Sequence, residues 1–181
     1  MRFLENFHNK AVKYELINKF NYKNVKNLPK LEKIILNFSC KTSELKNLSI
    51  SLLALELVAK QKGILTRAKQ PNIFLKIRKG YPVGCKVTLR KRQLFNFFER
   101  IISEIFPKLR NLDKVKFNRK MKKKTFSYQI YDTFSFSELE QHYYIFNNIS
   151  KLDITLVSNS KTNIETLFLM KSLQFPFETN N

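Results

Sequence analysis

Hydrophobic and polar residues alternate most regularly between residues 84 and 90, and this pattern predicts a β-strand with one buried face. Cys85, Val87 and Leu89 share one side of the strand, and the residues that follow each of them are polar or basic. Side chains that alternate in this way point to opposite faces of a sheet. Residues 31–38 alternate similarly, so that Asn37 is expected on a polar face.

Apolar residues recur at helical spacing in several other stretches. The clearest covers 93–109, where Phe97 and Phe98 belong to one apolar face. A second helix is predicted over 45–60, with Gly63 as the residue that ends it. The other predicted elements are helices over 4–20 and 163–173, strands over 31–38, 64–68, 84–90, 125–132 and 152–158, and a long loop over 70–82.

The order of these elements is mixed, and most of the strands have one polar face. This combination is typical of an α+β fold in which a mostly antiparallel sheet carries helices on one face only. We find no internal repeat and no linker, so we predict a single domain over 1–181, with a variable basic loop at about 111–124. The polar face and the long basic loop would then be free to meet a ligand.

Charge is distributed unevenly along the chain. The chain has 34 Lys and Arg against 14 Asp and Glu, a formal net charge of +20. Residues 1–124 carry a net +23 and residues 125–181 a net −3. Such a basic region is typical of proteins that bind polyphosphates. A broad sheet face of Lys, Arg, Thr and Asn suits folded RNA, which is recognised by its shape and by phosphate and 2′-hydroxyl contacts.

Other classes of function have little support in the sequence. No run of 18 uncharged apolar residues is present, which excludes an ordinary transmembrane helix. Two cysteines are too few for a disulfide scaffold or a four-ligand zinc site. The three glycines form neither a P-loop nor a dinucleotide fingerprint, and His8 and His142 have no catalytic partners nearby. The sequence therefore predicts no enzyme, no metal site and no cofactor.

Two features of the basic region have alternative interpretations. The cluster of Lys120, Lys122, Lys123 and Lys124 is typical of a solvated loop. It either contacts phosphates non-specifically or only keeps the loop soluble. Tyr81 lies in the long basic loop, where it either stacks on a nucleotide or has no such role.

The most specific motif lies in the basic centre of the chain, where residues 61–69 read QKGILTRAK and residues 74–90 read FLKIRKGYPVGCKVTLR. These segments resemble the signature of the large-subunit ribosomal protein five family, which binds 5S rRNA. The resemblance begins at Phe20-Asn21-Tyr22 and ends at Phe175-Pro176-Phe177, so it covers nearly the whole chain in order.

The chain departs from this family between residues 111 and 124. The family usually has Arg-Gly-Leu after the long helix and then a glycine-containing loop, whereas residues 111–113 read NLD and a lysine-rich stretch follows. Residues 136–146 resemble the mitochondrial branch of the family. Together with a composition rich in Lys, Asn, Phe and Ile, and with no recognisable presequence, this predicts a mitochondrially encoded protein of the ribosome in the mitochondrial matrix.

The resemblance implies a structural protein in the central protuberance of the large ribosomal subunit. Its implied RNA partners are 5S rRNA or its equivalent, adjacent large-subunit rRNA, and P-site tRNA at the loop over 70–82. Its implied protein partners are neighbouring ribosomal proteins, including a small-subunit head protein across a bridge, and no membrane is involved. By resemblance, Asn37, Gln61, Thr66, Thr88 and Arg90 contact rRNA; their basic neighbours Lys62, Arg67, Lys69 and Lys86 complete the predicted rRNA-binding set. Lys76, Arg78, Lys79 and Tyr81 are the predicted tRNA-facing residues.

Three other functions remain as alternatives. The first is a non-ribosomal RNA-binding or ribosome-assembly factor with the same fold. The second is a nucleic-acid enzyme, against which the acid-free span over 57–98 argues. The third is a protein of the membrane surface, which would need an amphipathic basic helix that the sequence does not contain.

Overall fold

The central feature of the protein is an antiparallel sheet, seen in a computed structural model that describes residues 3–40, 45–109, 116–117 and 124–175. Within these residues the sheet has six strands in the order β2-β3-β1-β6-β5-β4, and every pairing is antiparallel. The strands are β1 (Leu31–Ser39), β2 (Ile64–Arg67), β3 (Pro82–Leu89), β4 (Lys116–Phe117), β5 (Thr125–Ile130) and β6 (Leu152–Ser158).

The described part of the chain also contains helices of different lengths. The helix α1 covers 3–19 and α3 covers 91–108, and each contains a π-helical segment, His8–Val12 in the first and Ile101–Ile105 in the second. The others are α2 (Leu45–Ala59), α4 (Ser137–Glu140), α5 (Tyr143–Phe146) and α6 (Asn163–Ser172). The helix α2 packs against β3 and β1, and the first part of α3 also contacts β1.

The helices cover the apolar face of the sheet, as the alternation predicts. Alternate residues of the central strands are fully buried there, including Ile34, Leu36, Cys85 and Leu89. Burial of such side chains contributes roughly 1.5–3 kcal/mol each. The predicted α+β class, with an antiparallel sheet and helices on one face, is therefore confirmed.

The last described residues attach to the same core. The ring of Phe175 contacts the rings of Phe98, Phe106, Phe126 and Tyr128, with centroids 5.0–6.0 Å apart. Aromatic pairs at such distances each add about 0.5–1.5 kcal/mol beyond the area they bury. The cluster therefore joins the end of the described chain to α3 and β5.

Two details of the predicted elements are corrected. The helix α2 ends at Ala59, because Lys60 has φ of 52° and cannot continue a right-handed helix. Gly63 comes after this end, and its amide donates a hydrogen bond to the carboxylate of Glu56 at 2.8 Å. The strand β4, which pairs with β5, lies inside the segment expected to be a variable loop.

Candidate nucleic-acid interface

The face of the sheet opposite the helices carries a row of polar side chains across four strands. Lys86 lies opposite Asn37, Asn37 lies opposite Asp153, and Asp153 lies opposite Gln129. Neighbouring strands are about 4.8 Å apart, so this central row spans about 14 Å. It places a cation, an amide, a carboxylate and a second amide side by side.

A second row runs parallel to the central row and is less polar. Thr88 and Thr155 both lie opposite Ile35, and Ser127 lies opposite Thr155. The hydroxyl oxygens of Ser127 and Thr155 are 3.1 Å apart and share a hydrogen bond. The second row therefore offers hydroxyl groups to a ligand beside the amides and the charges of the central row.

The structure brings Gln61 to the edge of this face. Its side-chain nitrogen donates to the carbonyl oxygen of Thr88 at 3.5 Å, and its own carbonyl oxygen Oε1 is buried without a hydrogen-bond partner among the described residues. An acceptor in that state costs about 1–3 kcal/mol.

Arg90 continues the polar face beyond the end of β3. Its backbone is extended, with φ of −139° and ψ of 162°, and the residue is exposed immediately before α3 begins. Because Lys86 and Thr88 precede it at alternate positions, Arg90 keeps to their side of the sheet. The predicted placement of Asn37, Thr88 and Arg90 away from the core is thus confirmed, and their binding of rRNA stays a prediction.

The edge strand β2 adds further cations to this side of the molecule. Thr66 lies opposite Gly84, and Arg67 lies opposite Pro82. Lys62 and Lys69, on either side of β2, are exposed together with Arg67. Gly84 allows this packing, because a Cβ there would lie 2.6 Å from the carbonyl oxygen of Phe38 and 3.0 Å from the hydroxyl of Thr66.

The loop between β2 and β3 is a narrow extension with hydrogen bonds at its base and near its tip. At the base, the amide of Ala68 donates to the carbonyl of Tyr81 at 2.8 Å, and the amide of Gly80 donates to the carbonyl of Ala68 at 3.0 Å. Near the tip, Asn72 and Ile77 exchange two backbone hydrogen bonds of 2.9 Å. The loop therefore has a defined shape, although nearly all of its residues are exposed.

The exposed surface of this loop is both basic and apolar. The predicted residues Lys76, Arg78, Lys79 and Tyr81 are all exposed. The tip also exposes Ile73 to 91% and Phe74 to 98%, which the sequence reasoning missed. The only available signal was a run of three apolar residues inside a loop, and a run so short fits neither helical nor strand periodicity.

The predicted cluster of loop lysines is only partly covered by the structure. Lys120, Lys122 and Lys123 lie outside the described residues. Lys124 is exposed at the start of β5, where its carbonyl accepts a hydrogen bond from the amide of Ser158 at 2.9 Å. Lys124 is therefore attached to the sheet at its backbone, while its side chain faces solvent.

Buried ionisable groups lie away from the polar face. Burial raises the pKa of the Cys85 thiol to about 12, so the thiol stays protonated on the core side of the sheet at neutral pH. Burial also lowers the pKa of His8, which lies in α1 and packs beside the ring of Phe95. Among the described residues, no group of His, Cys, Asp and Glu is arranged to hold a metal ion, and no helix is long and apolar enough to span a membrane.

Known proteins with similar sequences agree on one family. A sequence model that describes the C-terminal part of the ribosomal L5 family matches residues 82–177. The chain is 35% identical over 178 residues to the large ribosomal subunit protein uL5m of Reclinomonas americana, covering 97% of this chain and 98% of that protein. It is 37% identical over 171 residues to the large ribosomal subunit protein uL5 of Buchnera aphidicola subsp. Cinara cedri, covering 90% of this chain and 91% of that protein.

Proposed function

Because the chain belongs to the ribosomal L5 family, whose members are structural and non-enzymatic constituents of the large ribosomal subunit, we propose that its polar sheet face binds 5S rRNA or an equivalent RNA and the adjacent large-subunit rRNA. The observation that carries this proposal is the face itself. Among the described residues, helices cover the apolar side of the sheet, and the other side presents amides, hydroxyls and cations in register across four strands.

This face makes two kinds of contact with RNA in the proposal, directed hydrogen bonds and phosphate contacts. The amides of Asn37 and Gln61 and the hydroxyl of Thr88 form directed hydrogen bonds, each worth about 1 kcal/mol when the contact is dry. The exposed cations around them neutralise phosphates and release counterions, which makes the affinity fall steeply with salt. The cations assigned to this second role are Lys62, Arg67, Lys69, Lys86 and Arg90.

The loop between β2 and β3 serves a different RNA in this proposal. It connects the edge strand β2 to β3, and it exposes cations together with an apolar tip made of Ile73 and Phe74. Such a tip suits an RNA with accessible ribose and base surfaces, because an aromatic ring can stack on any base. We assign this loop to the P-site tRNA, with Lys76, Arg78, Lys79 and Tyr81 as its contacts.

The cellular setting is the large subunit of a mitochondrial ribosome, in the central protuberance. The support is the 35% identity to a protein named uL5m over nearly the full length of both chains. We place the protein in the matrix and expect its gene in the mitochondrial genome. A bridge to a protein of the small-subunit head completes the proposed set of partners.

The test places a photo-crosslinking amino acid at Lys86 of the full-length chain, which is then incubated with total mitochondrial RNA. A matched control carries it at Ser103, which is exposed on α3. We expect position 86 to crosslink to large-subunit rRNA and to a 5S-like RNA, and position 103 to crosslink to neither. Equal crosslinking at both positions would contradict the assignment of the sheet face.

Sedimentation distinguishes this function from that of an assembly factor. We expect the protein to remain with mature large subunits in gradients run at high salt, since its contacts are distributed over a whole face and a loop. Crosslinks confined to precursor RNA, together with release from mature subunits, would instead identify a factor that uses the same fold only during assembly.

A further inference from the structure

One acidic residue occupies the middle of the central row on the otherwise basic face. Asp153 lies between Asn37 of β1 and Gln129 of β5 in the strand register. It is partly exposed, and its carboxylate makes no hydrogen bond among the described residues. The oxygen Oδ1 is enclosed, so the oxygen that a ligand can reach is Oδ2. The free protein therefore holds an unused acceptor at the centre of its polar face.

Cations stand at both ends of the central row but do not neutralise this carboxylate. Lys86 is exposed at one end. At the other end, the ammonium group of Lys151 donates to Oε1 of Gln129 at 2.8 Å and lies 5.5 Å from the centroid of the Tyr131 ring. None of the ion pairs found among the described residues includes Asp153.

The charge of Asp153 determines which part of an RNA can lie over it. A carboxylate repels a phosphate, so the sugar-phosphate backbone cannot approach the centre of the row closely. The RNA groups that suit an ionised acceptor are its hydrogen-bond donors, namely the amino group of guanine and the ribose 2′-hydroxyl. The cations at the two ends attract the phosphates on either side.

We infer that Asp153 accepts a hydrogen bond from the rRNA, donated by a guanine amino group or a ribose 2′-hydroxyl. The inference rests on the proposed function and assigns a task within it. Asp153 binds a hydrogen-bond donor of the RNA at the centre of the row, and Lys86 and Lys151 contact phosphates at its ends. Because base and ribose contacts carry selectivity while phosphate contacts set position, Asp153 contributes to the choice of RNA.

The variant Asp153→Asn tests this inference through the sign of its effect. Removing a negative charge from an RNA-binding protein should tighten binding if only long-range charge matters. Loss of a charge-assisted hydrogen bond should instead weaken binding by about tenfold. The control is Glu15→Gln, which removes the same charge from an exposed position on α1, away from the sheet face. We expect it to leave affinity unchanged within about twofold.

The measurement uses the large-subunit rRNA segment that the wild-type protein protects from hydroxyl radicals. Three forms of this segment are compared: unmodified, with inosine in place of guanosine, and with 2′-deoxyribose. We expect one modification to weaken binding of the wild-type protein and to have no further effect on the Asp153→Asn variant. Inosine in that role identifies guanine as the donor, and deoxyribose identifies the 2′-hydroxyl.

Other outcomes overturn the inference. The first is unchanged or tighter RNA binding by the Asp153→Asn variant. The second is a loss of affinity in the variant that adds independently to the losses caused by both RNA modifications. The third is a loss of affinity that vanishes without Mg²⁺, which would place a cation between the carboxylate and the RNA. If the variant does not fold, the wild-type protein alone tests the inference. Unchanged affinity of the wild-type protein for both modified RNAs would exclude the proposed contact. A wild-type protein that protects no rRNA defeats the proposed function itself.

Discussion

The polar sheet face and the loop between β2 and β3 meet solvent in different ways. Residues on the face are positioned by four paired strands over a buried core. The loop depends on a few backbone hydrogen bonds, and its tip exposes Ile73 and Phe74. In the proposed function, a face built in this way offers a fixed pattern of donors and acceptors to one folded RNA. A loop with few contacts is able to adapt to a partner that arrives and leaves.

The largest expected effect is on stability, and it differs between the core beneath the face and the tip of the loop. Leu36 is fully buried under the polar face, so Leu36→Ala should lower the free energy of unfolding by about 2–5 kcal/mol. Phe74 is almost fully exposed, and Phe74→Ala should change the free energy of unfolding by less than about 0.5 kcal/mol. Urea unfolding followed by circular dichroism measures both, and similar losses would show that the loop packs on the core in solution.

The next effect compares two glycines, one in the sheet and one in the loop. Gly84→Ala should cost about 1–3 kcal/mol of stability, because the new Cβ would collide with the carbonyl oxygen of Phe38. Gly80 has open space around it but a φ of +85°, so Gly80→Ala should cost about 1 kcal/mol through backbone strain alone. The two melting curves test this order, and a larger loss at Gly80 would contradict it.

A third prediction concerns RNA affinity on the face. Arg90→Ala should weaken binding of large-subunit rRNA by about tenfold, since Arg90 extends the register of Lys86 and Thr88 along the face. Lys124→Ala should weaken binding by no more than about threefold, because Lys124 contributes only a solvated charge. Filter binding at fixed salt measures both variants. Equal losses would show that the face acts only as a pool of positive charge.

A fourth prediction concerns the loop. Phe74→Ala should leave rRNA affinity unchanged but weaken P-site tRNA binding to reconstituted ribosomes by about fivefold or more, the loss of one stacking contact. The conservative variant Phe74→Tyr keeps the aromatic face and should restore binding. Loss of rRNA affinity in Phe74→Ala would mean that the loop and the face bind the same RNA.

The smallest expected effect is a pH dependence that belongs to neither region. Glu138 of α4 is bonded to Arg100 of α3. Burial alone would raise the pKa of Glu138, but its backbone hydrogen bond and the Arg100 guanidinium lower the pKa below its ordinary value of 4.5. The contribution to stability is therefore present above pH 4.5 and is lost as the pH falls through the lower pKa of the folded state.

The matched variants measure this contribution. Glu138→Gln should remove at least about 0.5 kcal/mol at pH 7 and less at pH 3, because the pair is partly buried and less screened than an exposed pair. Glu140, which is more exposed and lies 3.9 Å from Lys108, serves as the control, and Glu140→Gln should show almost no pH dependence. The same pH dependence in both variants would show that overall charge, and not the bond to Arg100, is responsible.

The amino-acid sequence was sufficient for the elements whose periodicity reports directly on burial. The strand predicted over 152–158 has the observed bounds, and the helix predicted over 93–109 agrees with α3 to within two residues at each end. The ribosomal family was also identified from the sequence, because its motif consists of two long segments, 61–69 and 74–90, that lie close together along the chain. The π-helical segments and the short strand β4 were not predicted, since both depend on packing between distant parts of the chain.

The candidate site likewise has residues that the sequence placed correctly and residues that only the structure revealed. Residues of one strand, such as Lys86 and Thr88, were assigned to a common face by alternation alone. The exposed tip at Ile73 and Phe74 was missed, and so was the position of Asp153. Neither follows from local pattern, because exposure of a loop and the partner of a strand residue depend on the rest of the fold.

Sequence by itself determined which residues alternate, where positive charge accumulates and which family the chain resembles, because each of these is a property of neighbouring residues. Only the tertiary structure decided that Lys86, Asn37, Asp153 and Gln129 stand in one row, since they come from four strands up to 116 residues apart. The register of the paired strands sets that row, and register follows from fitting the apolar side of every strand to a shared core.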